Sequence, residues 1–391
     1  MVELPGYERG IGCKRSGGMA KKKTTLMRCR ECGFPRFVSF FIKWNDNGTI
    51  TQVMRKEFRV VLLHAGFVDN LFENIEARLG VSIEHIAFEA QRNASKSTFE
   101  AFTEKIPGIN LGLKLNLAKK IGVDQFHKVG MICGQCLSET ISYEPGVKGV
   151  ARISNPFNMN LMAANVVGAF EALEHQPFKQ SWVEEGPDSY IITVEPTGEK
   201  PEIANRMALE FKPTLPHSHY YERCPRCKMP LALMQLKWME NEGIIVDTRT
   251  GSRVIMLDGY MVTTVFREMV NELGDEVNAL LVDAQRQWTV DHVEQLGLHS
   301  GNGPISGREL EASFRKYMEM LPLYGQGMAV GFKVEESPEG PIVNVRIENA
   351  YEQFVLAGTL EGLYEALRKS KADVTWESPT EHVINYRIAP A

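Results

Sequence analysis

Six of the seven cysteines in this 391-residue chain fall into three Cys-x-x-Cys pairs: Cys29/Cys32, Cys133/Cys136 and Cys224/Cys227. That spacing lets one tight turn aim two sulfurs at a single ion, while backbone N–H groups of the turn hydrogen-bond the thiolates and offset their charge. Four thiolates from two such turns make a closed tetrahedral site, suited to structural Zn²⁺ or to a one-electron iron. In a chain without secretory features, three such pairs read as metal ligands or redox dithiols rather than structural disulfides.

How the pairs combine stays open at this level. Cys29, Cys32, Cys224 and Cys227 can share one ion. Alternatively, Cys29 and Cys32 join Cys133 and Cys136, and His217 and His219 complete a local site with Cys224 and Cys227. An iron–sulfur cluster on any four is a third arrangement. Cys133 and Cys136 fall in a stretch that reads as a strand, residues 130–138, where side chains three apart face opposite ways unless Gly134 introduces a turn. They are candidates for added metal ligands, for a redox dithiol, or for packing by small apolar thiols. Cys13 sits alone in a basic leader. His64, His85 and His127 are scattered and read as core or solvated histidines. Arg92 and Arg286 follow Ala-Gln at matching places, which fits a structural ion pair better than a grip on a ligand anion. Gly301-Asn302-Gly303 and Gly325-Gln326-Gly327 lack the strand–turn–helix setting of a nucleotide fingerprint.

The elements that position these residues are written twice. Cys29, Cys32 and Gly48 fall on Cys224, Cys227 and Gly243 at an offset of 195 residues. At an offset of 194, Val60, Leu63, Val68, Phe72, Leu79 and Gly80 fall on Val254, Leu257, Val262, Phe266, Leu273 and Gly274, and Ala90-Gln91-Arg92 falls on Ala284-Gln285-Arg286. After a variable stretch the same offset returns for Arg152-Ile153, Gly168, Glu171-Ala172-Leu173 and Trp182. One register at both ends of a module indicates an internal duplication.

The expected fold class is α+β: a duplicated antiparallel α/β module packed pseudo-symmetrically, with a Cys-x-x-Cys metal knuckle at the start of each copy. Residues 1–28 read as a flexible leader, 29–196 as copy 1, 197–223 as a linker and 224–391 as copy 2. Each copy predicts a hairpin (37–44 with 49–53; 231–239 with 244–247) and a helix with apolar residues at i, i+3, i+4 spacing (67–79; 260–273). A second helix follows (82–105; 275–296), with a third in copy 1 (110–121). A strand pair comes next (129–143 and 148–154; 327–335 and 342–348), then a helix rich in small residues (162–173; 356–367) and a closing strand (190–194; 383–388). Small residues on those late helices permit either close helix packing or a cavity. Trp182 and Trp376 read as packing anchors at strand starts. Copy 2 replaces Cys133-Gly-Gln-Cys136 with Val330-Gly-Phe-Lys333, so a functional difference between the copies is expected there.

Laid out this way, each copy resembles the 4-vinyl reductase, or hydrocarbon-binding, domain, whose fold is shared with the Golgi-transport TRAPP subunits and related to heme nitric-oxide sensors. The resemblance is carried by Gly251-Ser252-Arg253-Val254, by Arg346 to Asn349, by Ala357-Gly358 with Gly362, and by Trp376 through Ile388, with the same series in copy 1. It covers most of 37–196 and 231–390, and it implies a module that encloses a small hydrophobic molecule between helices and sheet. Many members end in an acidic residue and two cysteines that help bind zinc. The corresponding stretches here, starting at Trp182 and Trp376, have no cysteine, so any metal sits elsewhere.

Composition sets the outer bounds. At 43% hydrophobic and 24% charged, the chain is of the ordinary globular class. No apolar run is long enough to span a membrane and no apolar secretory segment opens the chain, so a cytoplasmic protein is the expectation. Residues 1–36 carry net charge +6 and the remainder −11. An acidic body without a basic stripe argues against nucleic-acid binding. The expected function is a metal-stapled tandem protein, holding Zn or Fe on cysteines and binding a small hydrophobic ligand as sensor or carrier. The alternative is a redox or electron-transfer subunit using the cysteine-bound metal or the Cys133/Cys136 dithiol, and self-association or a protein partner is compatible with either.

Overall fold

The computed structural model describes residues 26–105, 116–199, 203, 206–219, 221–298 and 303–391. The leader up to residue 25 with Cys13, positions 110–115 of the expected third helix, parts of the linker and Gly301-Asn302 lie outside the described residues.

Two apolar runs without alternation, Arg59–His64 (β3) and Arg253–Asp258 (β10), form the centre of the molecule. Such runs suit strands covered on both faces. Val61, Leu63, Ile255 and Leu257 face one core, and Val60, Leu62, Val254 and Met256 face another. The two strands pair antiparallel, with Val60 opposite Asp258 and His64 opposite Val254. That pairing fuses the hairpin Ile42–Trp44 (β1) and Ile50–Gln52 (β2) with the hairpin Leu236–Met239 (β8) and Ile244–Asp247 (β9) into one six-stranded sheet, ordered β1-β2-β3-β10-β9-β8.

Helices follow each central strand. Ala65–Leu79 (α2) buries Phe67, Val68, Leu71, Phe72 and Ile75 on one stripe and ends at Gly80, which takes φ 70°. Glu84–Lys105 (α3) and Asn116–Ile132 (α4) come next. The first half closes with Leu137–Glu144 (β4), Lys148–Ser154 (β5), Met159–Glu174 (α5), Phe178–Gly186 (β6) and Ser189–Pro196 (β7). Its sheet runs β4-β5-β7-β6, antiparallel throughout. In the second half come Gly259–Leu273 (α6), Val277–His292 (α7), Gly307–Met320 (α8), Met328–Glu335 (β11), Ile342–Glu348 (β12), Gln353–Arg368 (α9), Ala372–Thr380 (β13) and Val383–Pro390 (β14), with sheet order β11-β12-β14-β13. Side chains cap the helices where the sequence supplies acceptors: Asn158 accepts from Leu161 N, Glu352 from Phe354 N and Val355 N, and Ser306 with Glu309 forms a capping box. The architecture is a mixed α/β chain with antiparallel sheets.

Several expectations are corrected. Residues 36–41 are a short helix (α1, Arg36–Phe41) and Leu231–Gln235 a 3₁₀ turn, so each first strand starts only at Ile42 and Leu236. The strand expected at 129–143 is helix up to Ile132 and strand only from Leu137. Between them Gly134, at φ 70°, turns the chain; a Cβ there would lie 2.9 Å from the Val254 carbonyl oxygen, so the turn is pressed against the central sheet. Cys133 and Cys136 therefore flank a turn rather than point from a strand.

Their counterparts change as well. Met256 N donates to Cys133 O at 2.8 Å, as Leu62 N does to Tyr324 O at 2.9 Å. Trp238 Nε1 donates to Ile132 O at 2.9 Å, as Trp44 Nε1 does to Leu323 O at 2.9 Å. Arg253 reaches the carbonyls of Gly134 and Asn155, and Arg59 those of Gly325 and Asn349. In these contacts Tyr324, not Val330, makes the hydrogen bond to the central sheet that Cys133 makes.

The small-residue stripes serve close packing. A Cβ on Gly168 of α5 would lie 2.9 Å from Lys96 N and from Ser95 Cβ of α3, and one on Gly362 of α9 would lie 2.5 Å from Arg286 O and 2.7 Å from Thr289 Cβ of α7. Arg92, also paired with Glu89 of its own helix, reaches Glu171 across the first of these contacts, and Arg286 reaches Glu365 (2.7 Å) across the second. Trp182 lies within β6, 42% exposed against Tyr190, so it anchors no core; Trp376 within β13 packs edge-on against Phe354.

Candidate metal centre

Each knuckle is a self-closed turn. Cys29 N donates to Phe34 O and Gly33 N to Cys29 O, both at 2.8 Å; Cys224 N donates to Met229 O at 2.9 Å and Lys228 N to Cys224 O at 3.0 Å. The closing residue must be left-handed: Gly33 takes φ 73° and Lys228 takes φ 63°. Each knuckle is tied to the hairpin of the other half. Arg28 reaches Glu240 and the Trp238 carbonyl, and Phe34 packs edge-on against Trp238 at 4.9 Å. Arg223 reaches Asp46 at 2.7 Å and the Trp44 carbonyl at 3.0 Å.

This exchange brings four sulfurs together. The Sγ atoms of Cys29, Cys32, Cys224 and Cys227 all lie within 4.8 Å of one another, with Cys29 to Cys224 at 3.8 Å and Cys32 to Cys227 at 3.5 Å. A tetrahedral ion with metal–sulfur bonds of about 2.3 Å needs sulfur–sulfur edges of about 3.8 Å. The cluster matches that size before any ion is considered. Cys29 and Cys224 are buried and Cys32 and Cys227 half-buried. Backbone N–H groups of Cys32 and Glu31 pull the Cys29 thiol down to about 6, and those of Cys227 and Arg226 pull Cys224 down; burial pushes Cys32 up, and pushes Cys227 up to about 12. The turns thus favour the thiolate form of one cysteine in each knuckle, and a bound cation would draw the proton from the other. Four thiolates in a closed tetrahedron supply structural stability or, with iron, a one-electron couple.

Among the described residues this is the only group of three or more potential ligands that close together. Cys133 and Cys136 do not join it. Both are buried, and burial pushes each thiol up to about 12, so they remain protonated and inert. His217 and His219 are not in it either: His217 lies 3.6 Å from Glu348, and the His219 ring packs on Tyr221.

The helices and sheets also border several partly enclosed cavities. In the first half, a cavity of about 110 Å³ is walled by α3, α4, α5 and the inner face of β4 and β5, with Ala94, Phe126 and Phe170 in its lining. A second, of about 90 Å³, adjoins it toward Phe41, Ile42 and Cys133, next to the apolar cluster that packs on the knuckles. The second half has a cavity of about 40 Å³ lined by His64 and Trp288. His127 lines the larger cavity with its ring nitrogens at 2.7 Å from Ser138 and Thr140 hydroxyls, whereas both ring nitrogens of His64 lack partners and burial pulls that imidazole down to about 4. Gln91 of the shared Ala-Gln-Arg triplet faces the larger cavity, while Arg92 serves the helix pair. His85 is not part of any of these walls.

No family model matches the chain, and no curated protein matches it.

Proposed function

We propose that the chain is a duplicated α/β module, related to the 4-vinyl reductase domain, whose two copies are stapled by one tetrahedral metal ion and which encloses a small hydrophobic molecule as a sensor or carrier. The observation that carries this reading is the meeting of Cys29 and Cys32 with Cys224 and Cys227 across the shared sheet. The paired contacts at positions 191, 194 and 195 residues apart support the duplication. Thiolate donors alone, with neighbouring N–H groups and no open coordination position, favour a structural Zn²⁺ over a catalytic one. The buried, protonated Cys133 and Cys136 weigh against a dithiol redox role.

The test is metal analysis with native mass spectrometry on protein purified without oxygen. One metal per chain is expected, with a colourless solution for zinc and a red one for iron. Metal-free protein whose melting temperature does not rise on adding Zn²⁺ or Fe²⁺ refutes the staple.

A further inference from the structure

The two halves differ in the space between the central sheet and the helices that follow it, and the difference traces to particular residues. Where the second half carries Trp288, Leu321, Met320 and Tyr324 around its small cavity, the first half carries Ala94, Gly130, Val129 and Cys133. These pairings follow from the register of α3 on α7 and from the matched hydrogen bonds at Cys133 and Tyr324. Four large side chains replaced by small ones leave two adjoining chambers of about 110 and about 90 Å³. The chambers share Thr98, Phe99, Val129, Gln135 and Asp258 as walls, so a ligand of more than the ~150 Å³ scale of a benzene site would have to part those side chains to fill both.

The polar groups around the chambers are unequal in kind. His127, Gln135 and Asn165 have partners inside the protein. Two sealed oxygens have none: Gln91 Oε1 and Asp258 Oδ2. The Gln91 amide is oriented by its Nε2 donating to Asn165 Oδ1 at 2.6 Å, so the atom left over is an acceptor. Asp258 Oδ1 accepts from Tyr260 N at 2.9 Å, capping α6 and leaving Oδ2 free. Asp258 lines both chambers, although it belongs to the second half; β10 carries it across the shared sheet. A buried acceptor without a donor is costly, and a buried carboxylate without a cation more so. Burial holds the Asp258 carboxyl up to about 7, as expected of an acid that waits for a counter-charge.

We propose that the first half binds a small primary amine with an apolar body, its ammonium held by Asp258 Oδ2 and Gln91 Oε1 and its body filling the two chambers. This rests on the reading of the module as an enclosure for a small hydrophobic molecule, and it names the chemical class. An ammonium supplies donors to both oxygens and neutralises the carboxylate; an alcohol supplies one donor and no charge. The second-half cavity, smaller and faced by an imidazole in place of the carboxylate, does not take the same ligand.

The experiment is calorimetric titration of the full, metal-loaded chain at pH 7 with benzylamine, benzyl alcohol and toluene. Benzylamine is expected to bind about tenfold or more tightly than toluene, with benzyl alcohol between them. Asp258→Asn keeps the helix cap and is expected to bring benzylamine to the toluene level without weakening toluene. Gln91→Met gives a smaller loss of the same sign, and Ala94→Trp, which copies the second half, abolishes binding of all three. Equal binding of toluene and benzylamine, or a preference that survives both Asp258→Asn and Gln91→Met, overturns the amine assignment and leaves the apolar enclosure standing. Failure of all three probes to bind the folded parent removes both.

Discussion

Replacing Gly168 by alanine should destabilise the protein even though alanine is the better helix former. In an exposed helix interior the change gains about 1 kcal/mol. Here the added methyl would stand 2.9 Å from Ser95 Cβ and Lys96 N, and closer still to the Arg92 carbonyl oxygen. Carbon atoms rest at about 3.5–4.0 Å, so α5 must back away from α3 by most of an ångström. Overpacking of this kind costs about 1–3 kcal/mol. The same displacement loosens the buried contact of Arg92 with Glu171, whose outright loss would cost about 3–5 kcal/mol. A net loss of about 2–4 kcal/mol follows after the helix gain is subtracted. The assay is the urea-unfolding midpoint of metal-loaded protein by circular dichroism, with Gly66→Ala as control. Gly66 opens α2 on the surface, its nearest neighbour being Asn70 Nδ2 at 3.6 Å, so that variant should be neutral or slightly stabilised. If Gly168→Ala unfolds at the same urea concentration as the parent, or later, the close-packing account of the small-residue stripe is wrong.

Three further outcomes are expected. Cys224→Ser should abolish bound metal and lower the melting temperature, whereas Cys133→Ala with Cys136→Ala should keep the full metal content; loss of metal in the double variant would move the site into the first half. Lys228→Gly should raise stability by up to ~1 kcal/mol in urea unfolding, because glycine takes the left-handed φ of 63° without a Cβ penalty; a loss would mean that the lysine side chain contributes. His64 and Asp258 should oppose one another in acid. His64, held down to about 4, binds its proton more readily when unfolded, so it adds stability as pH rises from 4 to 6.5; Asp258, held up to about 7, keeps its proton when folded, so it removes stability as pH rises from 3.8 to 7. Relative to the parent, Asp258→Asn should make the stability profile rise with pH, by up to about 4 kcal/mol, and His64→Gln should make it fall, by up to about 3 kcal/mol. Parallel profiles in all three proteins would show that neither group is buried as described.

The knuckles were legible because their chemistry is local: two cysteines three apart and a left-handed residue behind them define the turn. Their meeting was not, because the four cysteines come together over 195 residues of chain and sequence spacing carries no distance across a sheet. The helices α2 and α6 were legible from their apolar stripe. β3 and β10 were passed over because a strand buried on both faces shows no alternation. The slip at Cys133 has a similar cause. The second half reaches the turn three residues sooner and returns them in the β11–β12 loop, so a constant offset sets Gly134 against residues beyond Gly325. Asp258 was missed because it serves the opposite half from the one that encodes it.

The crossing of each knuckle onto the other half's hairpin has a consequence for what evolution can alter. A lone half carries two thiolates, too few for a closed site, and would complete it only by pairing with a second identical chain. In such a pair every substitution appears twice, so widening one cavity widens both. Joining the halves in one chain frees positions away from the four-cysteine cluster to change singly, while the four sulfurs remain tied to a common geometry. Ala94 against Trp288, and Asp258 against His64, are differences that only the joined chain permits. The four-cysteine cluster is held in common, and the two cavities are free to diverge.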